Sequence, residues 1–288
     1  MRQRLGALTR ALPAALKGDV NSLHQARVAT RRLREALPLV ASGPRQRQLD
    51  RKVRGLTREL GPVRELDVAL LILDELEAAG EVPRPAVVRL RQAVIEERRG
   101  LHADMRRRID RVSLEKLKKR ALAATRKAAG KGAVTARNPK QAAAARERAA
   151  RRSVRLRLAI ESAAGLYLPD RLHEVRIAVK KLRYALEISS LVGRSRAEAR
   201  IRTLKKAQDL LGRMHDLEVL IARTRGVQGA SSAPTLKLSG ELDRLVRRLE
   251  NECRQIHGTY ITSRQSLLTI CDQVIAVHNR SRGIAPAA

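Results

Sequence analysis

The chain has 288 residues, and its 61 lysines and arginines exceed its 29 acidic residues, which gives a formal net charge of +32. This length suits one large domain or two modest ones, and so large a positive charge calls for an anionic partner: nucleic acid, an acidic membrane surface or a polyphosphate. With no Trp, no Phe and only three Tyr, recognition of single strands by base stacking is poorly supported, whereas binding to duplex phosphates remains open.

Cysteine content and hydropathy limit the remaining possibilities. Cys253 and Cys271 are not part of a CxxC pair, so we expect neither a disulfide framework nor a metal site, and a reducing cytoplasm is the expected location. Apolar runs stay well below the ~18 residues that suggest a membrane-spanning helix. Arg10 interrupts the apolar stretch near the amino terminus, so no export signal is expected. We predict no cofactor and no membrane insertion.

The predicted elements are all helices. Ala, Leu, Arg and Glu dominate, apolar positions recur every three or four residues, and period-two alternation is absent. Glycine and proline predict the boundaries between helices, which we place at Gly18-Asp19, Gly43-Pro44, Gly61-Pro62, Gly80 to Pro85, Pro169-Asp170, Gly193, Gly212 and Gly226 to Pro234. The segments between them have ordinary helix lengths.

An internal duplication divides the chain. The sequence HQARVATRRLREAL at 24–37 aligns without gaps on HEVRIAVKKLRYAL at 173–186, and LGPVRELDV at 60–68 aligns on LGRMHDLEV at 211–219. We therefore predict a first helical bundle over 1–126, a basic Ala-rich linker or helix over 127–150, and a second bundle over 151–288.

Both copies of the longer motif predict an amphipathic helix with a cationic face. At ~100° per residue, the basic side chains fall on one arc and the apolar side chains on a roughly opposite arc. We name the first basic face for His24, Arg27, Arg31 and Arg34, and the second basic face for His173, Arg176, Lys180 and Arg183. Arg32 and Lys181 lie off these arcs.

Both histidines are expected in the first turn of their helices. Ser22 with Gln25 suggests a capping box before the first, and Pro169-Asp170 is a typical helix start before the second. The free amides and positive dipole of a helix amino terminus favour anions, and arginine binds phosphate oxygens in bidentate fashion.

The following helices add second-tier basic residues and a few acids. Arg54 and Lys205 are candidate additional contacts, within the one-face series Arg51, Arg54 and Arg58 and the pair Arg202 and Lys205. Asp67, Asp216 and Glu218 are expected to orient basic side chains rather than to catalyse.

The motifs HxxRVxxRRLR, LGPVRELDV, HxxRIxxKKLRYALE and LKKAQDLLGRMHDLEVL resemble the CHAD family of helical domains, over nearly the whole chain. The resemblance implies two pseudo-twofold-related four-helix bundles that form one compact unit around a basic cavity. It also implies inorganic polyphosphate as ligand, contacts by the two basic faces, and association with polyphosphate granules in bacteria. In the first half Glu35 and Pro38 replace Tyr184 and Glu187, which puts equal use of the halves in doubt.

Three functions remain to be weighed. The favoured one is non-catalytic binding of inorganic polyphosphate in a basic groove shared by the two helical repeats. The alternative is sequence-nonspecific binding of nucleic acid through phosphate contacts. Catalysis is disfavoured because the histidine motifs contain no paired carboxylate or thiol.

Overall fold

The computed structural model describes residues 2–40, 43–110, 119, 123, 139–193, 197–230 and 235–281. Within these ranges the secondary structure is helical, which confirms the predicted all-α class. The long helices are α1 (Arg2–Leu16), α2 (Val20–Val40), α3 (Pro44–Ala79), α4 (Arg84–Asp110), α5 (Pro139–Ala163), α6 (Pro169–Gly193), α7 (Glu198–Gln228) and α8 (Leu236–Arg280).

The chain divides into two compact units. The first comprises Met1–Ala133 and Val219–Arg248, and the second comprises Val134–Glu218 and Leu249–Ala288. The carboxyl-terminal part of α7 and the amino-terminal part of α8 therefore belong to the first unit. Residues 127–138 of the predicted linker lie outside the described residues, and the rest of it forms the beginning of α5.

The first unit contains a closed ring of four helices. Helix α1 packs on α2, α2 on α3, α3 on α4, and α4 on α1. The apolar arc predicted for α2 lies in this core, since Ala26, Leu33 and Leu37 are at most 1% exposed. Arg98 connects α4 to the rest of the ring. Its Nε donates to the buried Asp67 carboxylate of α3 at 2.6 Å, and its guanidinium donates to the Gly18 carbonyl between α1 and α2.

The second unit is also built from helix pairs. Helix α5 packs on α6. Side chains connect α6 to α7 through Arg183 and Gln208, α7 to α8 through Arg213 and Glu252, and α5 to α8 through Arg157 and Asp272. The apolar side of α6 is buried, with Val175 and Leu182 fully covered.

Most predicted helix boundaries are confirmed by the backbone. Gly18 and Gly43 have φ of 99° and 84°, a conformation that glycine adopts without strain, and they separate α1, α2 and α3. Pro44 begins α3, and Gly80 ends it with φ of 68° and an N–H that donates to the Glu77 carbonyl.

Two predicted boundaries are wrong. Gly61-Pro62 lies inside α3, and Gly212 lies inside α7. Both helices continue because apolar residues before and after these positions form one continuous buried face. In α3, Leu60, Val63 and Leu66 are all 0% exposed, and in α7 Leu211 and Leu217 are at most 1% exposed. Tertiary burial therefore outweighs the poor helix propensity of glycine and proline here.

The predicted capping box of α2 is also wrong. The residue that caps this helix is Asp19, whose carboxylate accepts a hydrogen bond from the Ser22 backbone N–H at 2.7 Å. As a result His24 is the fifth residue of α2, and His173 is likewise the fifth residue of α6. Both histidines lie in the second turn rather than the first, at matching positions.

The described helices contain no segment that is both long enough and apolar enough to cross a membrane.

Candidate polyanion-binding site

The first basic face brings its histidine and arginines together on α2. Partial loss of hydration of the imidazole ring is the main cause that lowers the pKa of His24, although the residue as a whole stays exposed, and the positive charges of Arg64, Arg31 and Arg27 lower it further. His24 is exposed, and the two arginines of α2 are half-buried. These side chains therefore form a local region of positive potential in which the imidazole is neutral at neutral pH.

The second basic face repeats this arrangement and adds a second imidazole. Nδ1 of His173 in α6 lies 3.3 Å from Nδ1 of His215 in α7, and the ring centroids are 4.6 Å apart. Burial, followed by the charges of Arg176, His173 and Lys180, lowers the pKa of His215 to about 4. Burial and the same two cations also lower the pKa of His173. Two neutral imidazoles thus stand beside two cations.

Gly61 inside α3 and Gly212 inside α7 lie next to arginines of the two basic faces. A Cβ atom placed on Gly61 would lie 3.0 Å from a terminal nitrogen of Arg27, and one placed on Gly212 would lie 3.9 Å from Nε of Arg176. Gly61 and Gly212 are matched positions of the duplication, as are the two arginines. The absence of a side chain at Gly61 therefore makes room for the Arg27 guanidinium group, whereas an added Cβ on Gly212 would make only an ordinary contact with Arg176.

The two faces differ at their far ends. Arg183 donates through Nε to Gln208 at 3.0 Å and forms an ion pair with Glu187, and its side chain is 11% exposed. Arg34, the matched residue, has a buried Nε without a hydrogen-bond partner. Since Pro38 occupies the position that matches Glu187, the sequence gives Arg34 no such acid. The charge of Arg183 is thus largely neutralised within the second unit.

The second-tier residues lie at the edge of the faces. Arg54 is exposed and forms an ion pair with Asp50, one turn earlier in α3, at 2.5 Å. Lys205 is exposed and lies one turn before Gln208, the residue that binds Arg183. Neither residue has a described contact with the histidines.

Sequence reasoning missed two members of the site. Arg64 and His215 stand at the same place in the second duplicated motif, where LGPVRELDV has Arg and LGRMHDLEV has His. The charge of Arg64 lowers the pKa of His24, and Nδ1 of His215 lies 3.3 Å from Nδ1 of His173. The signal was present, because two basic side chains at one matched position indicate a shared role, but the pairing of helices was needed to reveal it.

The acidic residues near the faces hold neighbouring side chains. Glu218 accepts a hydrogen bond from the Tyr167 hydroxyl at 2.9 Å, and its second oxygen lies 3.9 Å from Nδ1 of His215. Burial raises the pKa of Glu218. Asp67 is paired with Arg98, as described above. The contact of Asp67 with Arg98 fits the expectation that these acids orient basic side chains; for Asp216 the expectation stays a prediction.

The side chains of the two faces are of the types that can bind anions. Histidines, arginines and a lysine supply hydrogen-bond donors and positive charge, and arginine in particular matches phosphate oxygens. Among the described residues, no group of three or more His, Cys, Asp or Glu side chains is arranged to hold a metal ion.

Comparisons with known proteins agree with this architecture. Among solved structures, the chain is similar to PptA from Streptomyces chartreusis, with a TM-score of 0.63 and 17% identity over 92% of this chain and 96% of that one. It is also similar to the CHAD domain from the plant Ricinus communis, with a TM-score of 0.60 and 23% identity over 94% of this chain and 87% of that one. These identities indicate a shared fold alone, and the curated proteins give no match.

The family assignment comes from the sequence model of the CHAD domain family, which matches residues 1–225 and therefore most of the chain. The chain belongs to the CHAD domain family.

Proposed function

We propose that this protein binds inorganic polyphosphate, without catalysing its conversion, through the two basic faces. The observation that carries the proposal is the duplication of one constellation: a neutral histidine, a second basic residue from the neighbouring helix, and an arginine beside a glycine. It occurs at His24, Arg64 and Arg27 in the first unit, and again at His173, His215 and Arg176 in the second.

The spacing of the cations suits a linear polymer of phosphates. Residues three or four apart on a helix lie about 5–6 Å apart, so several basic side chains of one face can contact one flexible chain together. Such contacts read charge and not base sequence. The sharing of one groove by the two repeats stays a prediction.

The first experiment removes one arginine from each face. We expect Arg27→Gln with Arg176→Gln to weaken binding of long-chain polyphosphate at least about tenfold, since each charge-assisted hydrogen bond contributes about 1.5–3 kcal/mol. The matched control is Arg99→Gln with Arg155→Gln, two exposed arginines, one on α4 and one on α5. Equal affinity of the two double variants would refute a role for the basic faces.

A competition experiment separates polyphosphate from nucleic acid. Long-chain polyphosphate should displace labelled duplex DNA at low concentration, counted per phosphate, and duplex DNA should displace labelled polyphosphate poorly. Equal displacement in both directions would favour nonspecific nucleic-acid binding instead. The same mixtures, followed by chain length with and without Mg²⁺, test for catalysis, because steady shortening with turnover contradicts a pure binder.

Association with polyphosphate granules in the cytoplasm is a further part of the proposal. It follows from binding alone, because a granule presents the same phosphate chains at high local concentration. The double variant of the two faces should lose this association together with its affinity.

A further inference from the structure

A groove between α1 and α2 lies within the first unit, on another side of α2 from most of the first basic face. It has a volume of about 460 Å³, within the range of small-molecule sites. Small apolar residues form part of its lining. Its polar lining consists of Gln3, Arg4, Arg10, His24, Gln25 and Arg32.

The groove is strongly cationic. Three arginines line it, and none of the residues that line it is a carboxylate. A terminal nitrogen of Arg4 donates to the Arg32 backbone carbonyl at 3.2 Å, which fastens α1 to α2 at the edge of the groove. Arg10 and Arg32 are exposed, so their guanidinium groups can turn toward a ligand. The two glutamines add neutral donors and acceptors.

Arg32 gives the groove its separate character. Arg32 follows Arg31 in the chain, and successive residues of a helix point about 100° apart. Arg32 therefore lies on a different side of α2 from Arg27 and Arg31. His24 belongs to both the groove and the first basic face, because it lines the groove and the charges of Arg27 and Arg31 lower its pKa.

We propose that this groove is a second phosphate-binding site, which takes a compact group of several linked phosphates. Arg10 and Arg32 bind the phosphate oxygens from the two helices, and the glutamines complete the hydrogen bonds. The group can be the end of a polyphosphate chain or a free oligophosphate, since both present the same oxygens. Neither Arg10 nor Arg32 belongs to the basic faces of the proposed function.

The test uses the full chain and tripolyphosphate as the probe, in calorimetric titrations at low and fixed salt. We expect Arg10→Gln with Arg32→Gln to bind one fewer tripolyphosphate, or to weaken that site about tenfold or more, as the loss of two charge-assisted contacts requires. The control is Arg84→Gln with Arg99→Gln, which makes the same change in charge at two exposed arginines of α4. The same stoichiometry and affinity in both variants would overturn the proposal.

Long-chain polyphosphate distinguishes the two sources of the phosphate group. If its affinity also falls in Arg10→Gln with Arg32→Gln, the groove takes part of the polymer. If only tripolyphosphate binding falls, the groove takes a free oligophosphate, and either result supports the site. Failure of the proposed function would instead appear as unchanged long-chain binding in Arg27→Gln with Arg176→Gln, so the two proposals fail independently.

Discussion

The fit between Gly61 and Arg27 gives a prediction in which stability and binding change in opposite directions. Gly61→Ala places a methyl group 3.0 Å from a terminal nitrogen of Arg27, closer than side chains normally approach. The guanidinium group is the flexible end of its side chain, so it can shift by a few tenths of an ångström. The helix interior then gains the usual advantage of alanine over glycine, about 0.8–1.0 kcal/mol.

The expected result is a protein that unfolds at a higher temperature and binds polyphosphate less tightly. A gain of about 1 kcal/mol raises Tm by about 2–4 °C in a protein of 150–250 residues, and somewhat less in a longer one. A shift of the guanidinium that removes about half of one weak charge-assisted hydrogen bond costs about 0.7 kcal/mol, which is about threefold in Kd. Thermal unfolding and polyphosphate titration measure the two effects.

Gly212→Ala is the matched control. Its methyl group would lie 3.9 Å from Nε of Arg176, an ordinary van der Waals contact, so the Tm should rise by a similar amount while Kd stays the same. If Gly61→Ala is also more stable and binds with unchanged affinity, then the position of Arg27 does not determine binding. If both variants lose affinity equally, the effect does not come from the close approach at Gly61.

Three other predictions concern the second basic face and the core. The lowered pKa values of His173 and His215, the latter about 4, keep both imidazoles neutral at neutral pH, and bound phosphate favours the protonated form. Polyphosphate affinity should therefore rise as pH falls below neutral toward 4, and it should rise less in His173→Gln with His215→Gln; identical pH profiles would contradict this. Glu187→Gln should tighten binding in a titration by about twofold or more, because it releases Arg183 from its ion pair, and unchanged affinity would remove Arg183 from the site. Arg98→Ala should lower the free energy of unfolding in denaturant by about 3 kcal/mol, because it leaves a buried carboxylate without its partner, whereas an exposed arginine of α4 should change it by less than about 0.5 kcal/mol.

Much of the fold could be predicted because the relevant signals are local. The apolar arc of α2 is determined by residue spacing, and Ala26, Leu33 and Leu37 are buried as that spacing requires. Gly18, Gly43 and Gly80 end or separate helices by their own backbone conformations. The duplication also identified the basic residues that are candidate ligand contacts, although it did not show which residues of the neighbouring helices lie beside them.

The errors arose where tertiary contacts outweigh local preference. Gly61 and Gly212 looked like helix breaks because glycine has low helix propensity, yet each lies within a helix whose apolar face continues on both sides. Their significance appears only when Arg27 and Arg176 from the neighbouring helix are placed against them. Asp19 was overlooked as a cap for a different reason, since Ser22 offered an equally good pattern in the sequence alone.

The partners of the predicted site could not be read from one helix. His215 lies 42 residues from His173 along the chain, and only the packing of α7 on α6 brings the two rings together. The neutralisation of Arg183 was within reach of the sequence, because Glu187 is four residues later on the same helix face. A basic face read from the sequence therefore predicts a positive electrostatic potential, but not which of its side chains are already paired with acids.

The dependence of polyphosphate affinity on salt tests the two basic faces most directly. The logarithm of the binding constant should fall linearly with the logarithm of salt concentration, and Arg27→Gln with Arg176→Gln should reduce the slope by about one for each phosphate contact removed. Arg99→Gln with Arg155→Gln should leave the slope close to that of the unaltered protein. A slope and an affinity that are the same in both double variants would show that polyphosphate does not bind at these faces.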